Sequence, residues 1–237
     1  MGKKAIKRRS NKTNILPIHT NQPVKPSSVS IIPKNVNQET YMLDLLNPSR
    51  DIVIGVGPAG TGKTMLAVQV AIKLFKEKVV DKIIVTRPVV SVDEDIGFLP
   101  GTLEEKMAPW TIPIFDVFKM YYNTNDIRNM MYEGIIEMAP LAYMRGRTFK
   151  KSIIVADEMQ NASANQMKML LTRIGDRSKI VVTGDLEQTD RPNRNGLSDF
   201  VNRFPHKKQS DRISMVHFNY KDVVRHRVVS EVLDIYN

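Results

Sequence analysis

The stretch GVGPAGTGKTMLAV, from Gly55 to Val68, decides the fold of this 237-residue chain. It directly follows the apolar run DIVI, and it places four glycines, a proline, a lysine and two threonines between that run and an apparent helix. A simple turn needs only one or two glycines, so this many indicate that something packs closely against the backbone. The stretch matches G-x-x-x-x-G-K-[ST] between a strand and a helix, which is the context of a phosphate-binding loop.

This loop predicts a binding site for the phosphates of a nucleotide. Glycines let backbone N–H groups wrap a phosphate, and the N-terminus of the following helix adds partial positive charge. We expect Lys63 to reach the β- and γ-phosphates and the hydroxyl of Thr64 to hold Mg²⁺. The alternative, a turn that is merely rich in glycine, is disfavoured by the Lys-Thr pair. The residues expected to contact the nucleotide are Gly57, Pro58, Ala59, Gly60, Thr61, Gly62, Lys63 and Thr64.

A second apolar run supplies the acidic residues that such a loop needs. The run SIIVADE places Asp157 and Glu158 at the carboxyl end of a predicted strand, where ligands bind in parallel sheets. We expect Asp157 to hold Mg²⁺ through water and Glu158 to take a proton from an attacking water. A kinase has less need of that glutamate, and the sequence lacks the N/T-K-x-D motif of GTP-binding proteins. The pattern therefore favours hydrolysis of ATP.

Short apolar runs alternate with helical patterns along the chain. This alternation predicts an α/β fold of three layers, with a central parallel sheet covered on both faces. The predicted strands are 51–56, 82–87, 151–157, 179–185 and 212–219. The predicted helices are 63–77, a helix between the third and fourth of those strands, a helical region over 101–123 broken by Pro109 and Pro113, and an amphipathic closing helix over 221–236.

Positive charge is concentrated at the N-terminus. The formal net charge is +10, and residues 1–34 hold eight Lys and Arg residues and no acid. The other 27 basic residues face 25 acidic ones. Residues 1–30 are polar and lack periodicity, so we predict a disordered basic tail there and a single domain over 31–237. A solubilising arm and an arm that attracts phosphates both fit the composition of the tail.

The composition also indicates the cellular compartment in which the protein acts. The chain has no cysteine, which excludes disulfides and thiolate metal sites and fits a reducing compartment. Its four histidines are scattered, so we predict no metal site made by protein side chains alone. No run approaches the ~18 apolar residues of a membrane helix. We therefore predict a cytoplasmic protein without a membrane partner, in the host cell if the chain is phage-encoded.

In combination, the motifs resemble those of PhoH-like proteins, which are P-loop ATPases similar to the first core domain of superfamily 1 helicases. These motifs are NQETY, GPAGTGKT, TRP, GFLPG, YMRGRTF, DEMQN, VTGDLEQTD and DVVRH, and they run from about Ile32 to the C-terminus. The resemblance implies one P-loop NTPase (RecA-like) domain that binds and hydrolyses ATP, and often a ring-like assembly. We expect a homo-oligomer, as a hexameric ring. The short length and basic tail resemble the compact, phage-type version.

The same resemblance assigns roles to polar residues outside the loop. Gln38 resembles a glutamine that reads adenine, although the residues alone also fit a glutamine at the start of an ordinary helix. Gln160 and Gln188 resemble glutamines that sense the γ-phosphate or order the water. Asp185, which follows the strand KIVVTG, would support that site.

Five further residues, one threonine and four arginines, are candidates for contact with phosphate groups. Thr86 and Arg87 match a helicase motif that touches the nucleic-acid backbone, with a polar strand end as the alternative. A lone domain of this kind lacks the arginine that superfamily 1 helicases supply from their second core domain, and such an arginine is worth roughly 10³–10⁵ in rate. The candidates are Arg145, Arg147 and Arg225, and we favour the loop that carries the first two, acting on a neighbouring subunit. A surface salt bridge is the alternative for each.

Three functions remain open from the sequence. The first is a Mg²⁺-dependent ATPase coupled to RNA or single-stranded DNA. The second is a module in which bound ATP switches the affinity for nucleic acid, with slow turnover. The third is an ATP-dependent protein remodeller with no nucleic-acid role. Unwinding itself is left open, because the sequence shows no second core domain to form a clamp.

Overall fold

The computed structural model describes residues 25–26, 28–88, 103–189, 195–204, 210–224, 228 and 235. Six strands form one sheet: β1 (Ile52–Val56), β2 (Lys82–Arg87), β3 (Ile136–Pro140), β4 (Ser152–Ala156), β5 (Lys179–Gly184) and β6 (Ile213–His217). Their order is β3-β2-β4-β5-β1-β6, and every pair of neighbours is parallel. The carboxyl ends of all six strands therefore meet at one edge, where ligands bind in such sheets.

Helices cover both faces of this sheet. They are α1 (Val36–Leu46), α2 (Lys63–Lys76), α3 (Leu103–Lys119), α4 (Thr124–Tyr132), α5 (Ala164–Leu171) and α6 (Gly196–Arg203). One core lies between the sheet and α1 to α4, and the other lies under α5 and α6. The strands β1, β4 and β5 are buried along their whole length, as expected for the centre of a sheet covered on both sides. The predicted three-layer α/β fold is confirmed.

Five of the six strands lie where the sequence predicts them, within one or two residues at each end. Helices α2 and α5 also match the predictions. Strand β3 and the helices α1, α4 and α6 are not among the elements predicted from the sequence. The β3 sequence, IEMAP, has neither a continuous apolar run nor a strict alternation, and the strand forms because β2 offers it a free edge.

The predicted break in α3 is wrong, because Pro109 and Pro113 both lie inside one helix, Leu103–Lys119. A proline removes one backbone hydrogen bond and crowds the preceding turn, which normally disfavours a helix interior. Here the last turns of α3 bury Ile114 and Phe118 in the core beneath them. Tertiary packing of an apolar face supplies most of the stability of such a helix, and here it outweighs the local preference.

The predicted start of the closing helix at residue 221 is also wrong. Residues Tyr220–Asp222 form a 3₁₀ turn, and Val223 leaves it in an extended conformation. The side chain of Asn219 accepts from the backbone N–H of Lys221, and the Asp222 carboxylate accepts from the N–H of Asn219. This local capping stabilises a single turn there. Most of the remaining predicted helix lies outside the described residues.

Ordered contacts begin slightly before the predicted domain boundary at residue 31. Val29 is buried in the core beside α2. The Nζ of Lys76 donates to the carbonyl oxygen of Pro26 at 2.7 Å. Residues 1–24, which make up most of the predicted basic tail, lie outside the described part. Among the helices of the described residues, none has the length and apolar character needed to cross a membrane.

Candidate nucleotide-binding site

The phosphate loop connects β1 to α2 and follows the backbone path that its glycines permit. Gly57, Gly60 and Gly62 have positive φ values of 145°, 83° and 81°. A Cβ atom on Gly57 would lie 2.3 Å from the carbonyl oxygen of Phe218. Glycine is therefore required at that position both for its conformation and for the close approach of the segment that follows β6.

Lys63 is the first residue of α2, and its ammonium group lies inside the loop. Its Nζ donates to the carbonyl oxygens of Gly57 and Pro58 at 2.6 and 2.7 Å. Burial lowers the pKa of Lys63, and the nearby carboxylates of Asp185, Glu158 and Asp157 oppose this shift. A phosphate that enters the loop offers the ammonium a negatively charged partner in place of neutral carbonyls, as its predicted role requires.

Thr64 and Asp157 meet at the mouth of the loop. The Thr64 hydroxyl donates to Oδ1 of Asp157 at 2.7 Å, and the Thr183 hydroxyl donates to the same oxygen at 2.6 Å. A hydroxyl beside a carboxylate is a set of hard oxygen ligands that fits Mg²⁺. Within the described residues, no three His, Cys, Asp or Glu side chains lie close enough together to hold a metal alone. A Mg²⁺ ion at this point therefore needs phosphate oxygens and water as its other ligands.

Glu158 follows at the end of β4 in a left-handed conformation, with a φ of 53°. Its Oε2 accepts a hydrogen bond of 2.5 Å from Nε2 of Gln160. The same nitrogen donates to the carbonyl oxygen of Gln188, and Oε1 of Gln160 accepts from the N–H of Asp185. Gln160 is 1% exposed and thus links the end of β4 to the segment after β5. The roles predicted for Gln160 and Gln188, in sensing the γ-phosphate or ordering the water, stay predictions.

Asp185 connects that segment to the phosphate loop. Its Oδ2 accepts from the N–H of Ala59 at 3.2 Å, and its Oδ1 accepts from the N–H of Glu187 at 3.0 Å. The predicted supporting role of Asp185 thus has a specific contact, because the carboxylate fixes one residue of the loop directly.

Gln38, on α1, supports the loop from the opposite side. Its Nε2 donates to the carbonyl oxygen of Thr61 at 2.9 Å, and its Oε1 accepts from the N–H of Lys34 at 2.8 Å. The side chain is 2% exposed. Both polar ends therefore have partners within the protein, and contact with adenine stays a prediction.

Two further supports of the site were not predicted from the sequence. Thr183 shares the Asp157 carboxylate from the neighbouring strand β5. The segment after β6 reaches the loop through the N–H of Val224, which donates to the carbonyl oxygen of Gly60 at 3.0 Å. These residues are far from the loop in the sequence and reach it only in the folded chain, so no local spacing of residues predicts their contacts.

Together these groups surround a cleft of about 300 Å³. The side chains of Pro113, Ile114 and Val117 on α3 form an apolar wall opposite the polar groups. Among the described residues that line the cleft, Lys63 is the only cation. The other lining residues are Ala59, Gly60, Gly62, Thr64, Met65, Val68, Asp157, Glu158, Gly184, Asp185 and Gln188.

The arginines in the YMRGRTF motif lie away from this cleft. Arg147 forms a bidentate ion pair with Glu137, with one N–H···O distance of 2.8 Å, and its guanidinium lies 4.6 Å from the centre of the Phe149 ring. The hydrogen bond from Arg147 lowers the pKa of Glu137. Arg145 is exposed and lines a separate cleft beside α5. Arg225, the third candidate, lies outside the described residues. The choice among the three stays a prediction.

The helicase-like motif at the end of β2 contains a residue that cannot act as predicted in this conformation. Thr86 is fully buried, and its hydroxyl has no hydrogen-bond partner among the described residues. Its carbonyl oxygen accepts from the N–H of Asp157 at 2.9 Å. The Thr86 side chain therefore does not reach a nucleic acid here, whereas Arg87 is half-buried.

The chain is similar to known proteins over most of its length. The family model described as PhoH-like protein matches residues 30–237. A PhoH-like protein of Mycobacterium bovis is 47% identical over 209 residues, covering 87% of this chain and 58% of that protein. A PhoH-like protein of Bacillus subtilis is 42% identical over 88% of this chain and 64% of that protein, and Protein PhoH of Escherichia coli is 38% identical over 87% and 58%.

The chain thus spans roughly three fifths of the length of these relatives. Among solved structures, the Pif1 helicase from Candida albicans aligns with 87% of this chain and 45% of its own, at 13% identity and a TM-score of 0.39. The family match covers the phosphate loop, the acidic pair after β4 and the segment after β6. This chain belongs to the PhoH-like protein family.

Proposed function

We propose that this chain binds ATP with Mg²⁺ and hydrolyses it, and that hydrolysis is coupled to the binding of RNA or single-stranded DNA. One observation carries the proposal. The Thr64 hydroxyl and the Asp157 carboxylate lie 2.7 Å apart at the mouth of a glycine loop that holds a buried lysine. When bound, Mg²⁺–ATP supplies the bond to be broken and a metal charge that stabilises the leaving phosphates.

In this proposal, separate residues of the chain bind the phosphates, hold the metal and accept the proton. The N–H groups of the loop and the ammonium of Lys63 orient the phosphates, while Thr64 and Asp157 hold the metal. Glu158 accepts a proton from the water that attacks, with Gln160 fixing the direction of its carboxylate. Each of these groups lies within one cleft or directly beneath it.

The proposed coupling to nucleic acid is supported by charge. The chain carries a formal net charge of +10 and a pI of about 9.7. Neutralising phosphates is the main source of affinity in sequence-independent binding of nucleic acids. We place this activity in the cytoplasm, because a chain without cysteine suits a reducing compartment.

We also propose that the active form is a homo-oligomer, as a hexameric ring. Charge that develops on the transferred phosphoryl group calls for a cation besides the lysine of the loop. Arg145 and Arg147, the candidates that we favour, do not line the cleft of their own chain, so we assign the second cation to a neighbouring copy.

The contact between Glu158 and Gln160 favours one alternative, an ATP-gated switch with slow turnover. The Glu158 carboxylate already accepts a short hydrogen bond from Gln160, which occupies one of the two oxygens that would take a proton from water. In this alternative, bound ATP changes the affinity for nucleic acid, and hydrolysis only resets the protein.

One set of measurements separates these functions. ATP hydrolysis is measured with no polynucleotide, with RNA and with single-stranded DNA, and a Lys63→Ala chain gives the background rate. Stimulation by a polynucleotide supports the proposed function. Tight binding of a polynucleotide that depends on ATP, with negligible turnover, supports the switch. If neither effect occurs, the remaining candidate is a protein remodeller without a nucleic-acid role.

A further inference from the structure

A second cleft, of about 470 Å³, lies on the outer side of α5. We call it the α5 cleft. No described residue lines both this cleft and the nucleotide cleft. Its walls come from α5 and from the turn that follows β3. The lining residues are Arg145, Gly146, Asn165, Lys168, Met169, Thr172 and Arg173.

The α5 cleft has an uncompensated positive charge. Arg145, Lys168 and Arg173 line it together, and none of its lining residues is acidic. None of these three cations takes part in the ion pairs found among the described residues. Arg147, two residues from Arg145, differs because Glu137 neutralises it. Three cations without a counter-charge in one concave site favour an anionic ligand.

One of the three cations is already fixed in place. Arg173 donates through Nε to the carbonyl oxygen of Met169 at 3.2 Å and through Nη1 to that of Arg147 at 3.3 Å. Its Nη2 lies 3.2 Å from the Thr172 hydroxyl. All of these partners are neutral, so they orient the guanidinium without cancelling its charge. Arg145 and Lys168 are exposed and can move onto a ligand.

We propose that the α5 cleft binds the phosphodiester backbone of a single-stranded polynucleotide, an inference that rests on the nucleic-acid part of the proposed function. The lining residues on α5 and at its C-cap run from Asn165 to Thr172, which is about 10 Å along a helix and longer than one phosphate group. Tyr143, in the turn just before Arg145, is 58% exposed and offers a ring on which a base can stack.

The position of α5 also connects this cleft to the nucleotide site. Helix α5 begins three residues after the 3₁₀ turn Met159–Asn161, which carries Gln160. Gln160 bonds to Glu158. A polynucleotide held along α5 therefore lies on the helix that follows the turn containing Gln160, and Gln160 bonds to the proposed catalytic base, Glu158.

The test compares two double variants in the full chain. Arg145→Gln with Lys168→Gln removes two charges from the α5 cleft, at exposed side chains. Lys78→Gln with Arg128→Gln is the matched control, because it also removes two exposed charges, one just after the end of α2 and one in the middle of α4. Binding of a fluorescent oligo-uridine and an oligo-thymidine is measured by anisotropy without ATP, over a range of salt concentrations. Measured this way, the result does not depend on whether Arg145 also acts in hydrolysis.

We expect the cleft variant to bind about 10-fold more weakly at 0.1 M salt, and the slope of log affinity against log salt to fall by about 1.4, or 0.7 for each lost phosphate contact. The control variant should retain the wild-type slope. Inorganic tripolyphosphate serves as a competitor. If it displaces the oligonucleotides at equal phosphate concentration, the cleft takes free phosphates and the inference is overturned.

Two other results would also overturn the inference. In the first, the cleft variant binds like the control while the wild type binds oligonucleotides, which leaves the proposed function intact. In the second, sedimentation shows that the cleft variant has lost its oligomeric state, which would make the cleft a contact between subunits. A wild-type chain that binds no oligonucleotide removes the nucleic-acid part of both proposals, while ATP hydrolysis is tested separately.

Discussion

At the scale of single residues, the site depends on backbone conformations that ordinary residues avoid. Glu158 has a left-handed backbone, which is uncommon for a residue with a Cβ and costs on the order of 1 kcal/mol. The N–H of Asp157, just before it, donates to Thr86, and the carbonyl of Glu158 accepts from Asn161. These contacts hold the peptide in place, so the direction of the carboxylate is set by the fold before any ligand binds.

Gly57 allows a direct test of this dependence. We expect Gly57→Ala to destabilise the protein by several kcal/mol and to abolish nucleotide binding, because the added Cβ would lie 2.3 Å from a backbone oxygen of Phe218. Gly146→Ala is the matched control. Gly146 also has a positive φ, 76°, but its added Cβ meets nothing within 4 Å, so it should cost only about 1–2 kcal/mol.

Urea unfolding of the two variants measures the difference. Equal midpoints would show that the segment after β6 moves aside at little cost, and would contradict the close packing described for the loop.

At the scale of elements, the sequence predicts the strands, helices and loops whose conformation depends on residues close together in the chain. The strands β1, β2, β4 and β5 are short apolar runs at the centre of the sheet, and the phosphate loop is a pattern of adjacent residues. The supports of the loop were not predictable in this way. Thr183 and Val224 act from positions far away along the chain, and no spacing rule relates them to Gly60 or Asp157. The continuity of α3 through two prolines likewise depends on the core beneath it.

Strand β5 begins with a buried lysine that makes stability depend on pH. Lys179 donates through Nζ to the carbonyl oxygens of Asn47 and Arg50, after the end of α1. Burial lowers the pKa of Lys179 from 10.5 to about 8. Below pH 8 both the folded and the unfolded chain carry the charge, and the folded chain bears its desolvation cost. Between pH 8 and 10.5 the unfolded chain binds more protons, so stability at this site rises with pH.

We therefore expect the free energy of unfolding of the wild type, relative to Lys179→Met, to increase by roughly 2 kcal/mol between pH 7 and 9.5. The loss of a donor to two carbonyls affects the variant at both pH values, so it does not alter the expected change with pH. Urea unfolding at both pH values gives the four free energies. A difference that does not change with pH would show that Lys179 keeps its ordinary pKa.

At the scale of the whole molecule, both ends of the described domain converge on one site. Helix α1 contributes Gln38 to the loop, and the Asn37 side chain donates to Asp222 at 2.7 Å. The segment containing Asp222 leads to Val224, which bonds to Gly60. The loop is thus held between α1 and the segment after β6. A movement of the loop would therefore change its contacts with both of these segments.

The proposed assembly makes a prediction about mixtures. A Lys63→Ala chain should be inactive at its own loop, and a second chain with alanine at Arg145, Arg147 and Arg225 should lack every candidate for the second cation. If that cation acts between subunits, mixed oligomers contain some interfaces with both parts intact, and ATP hydrolysis should return. The unfolding midpoint of the second chain checks that it folds without the Arg147–Glu137 pair.

The mixture must also be shown to exchange subunits. If it exchanges them and stays as inactive as either parent, the cation acts within one chain or comes from another residue. A monomer with full ATPase activity would rule out the proposed assembly.

The central claim is that Lys63 binds phosphates while Glu158 performs the proton transfer, and one paired measurement of ATP affinity and turnover tests it most directly. Glu158→Gln keeps the shape of the side chain but removes its basicity. We predict wild-type affinity for ATP and a turnover rate reduced about 10²–10⁴-fold for this variant, and loss of affinity as well for Lys63→Ala. Hydrolysis by Glu158→Gln at the wild-type rate would contradict the assignment of the base.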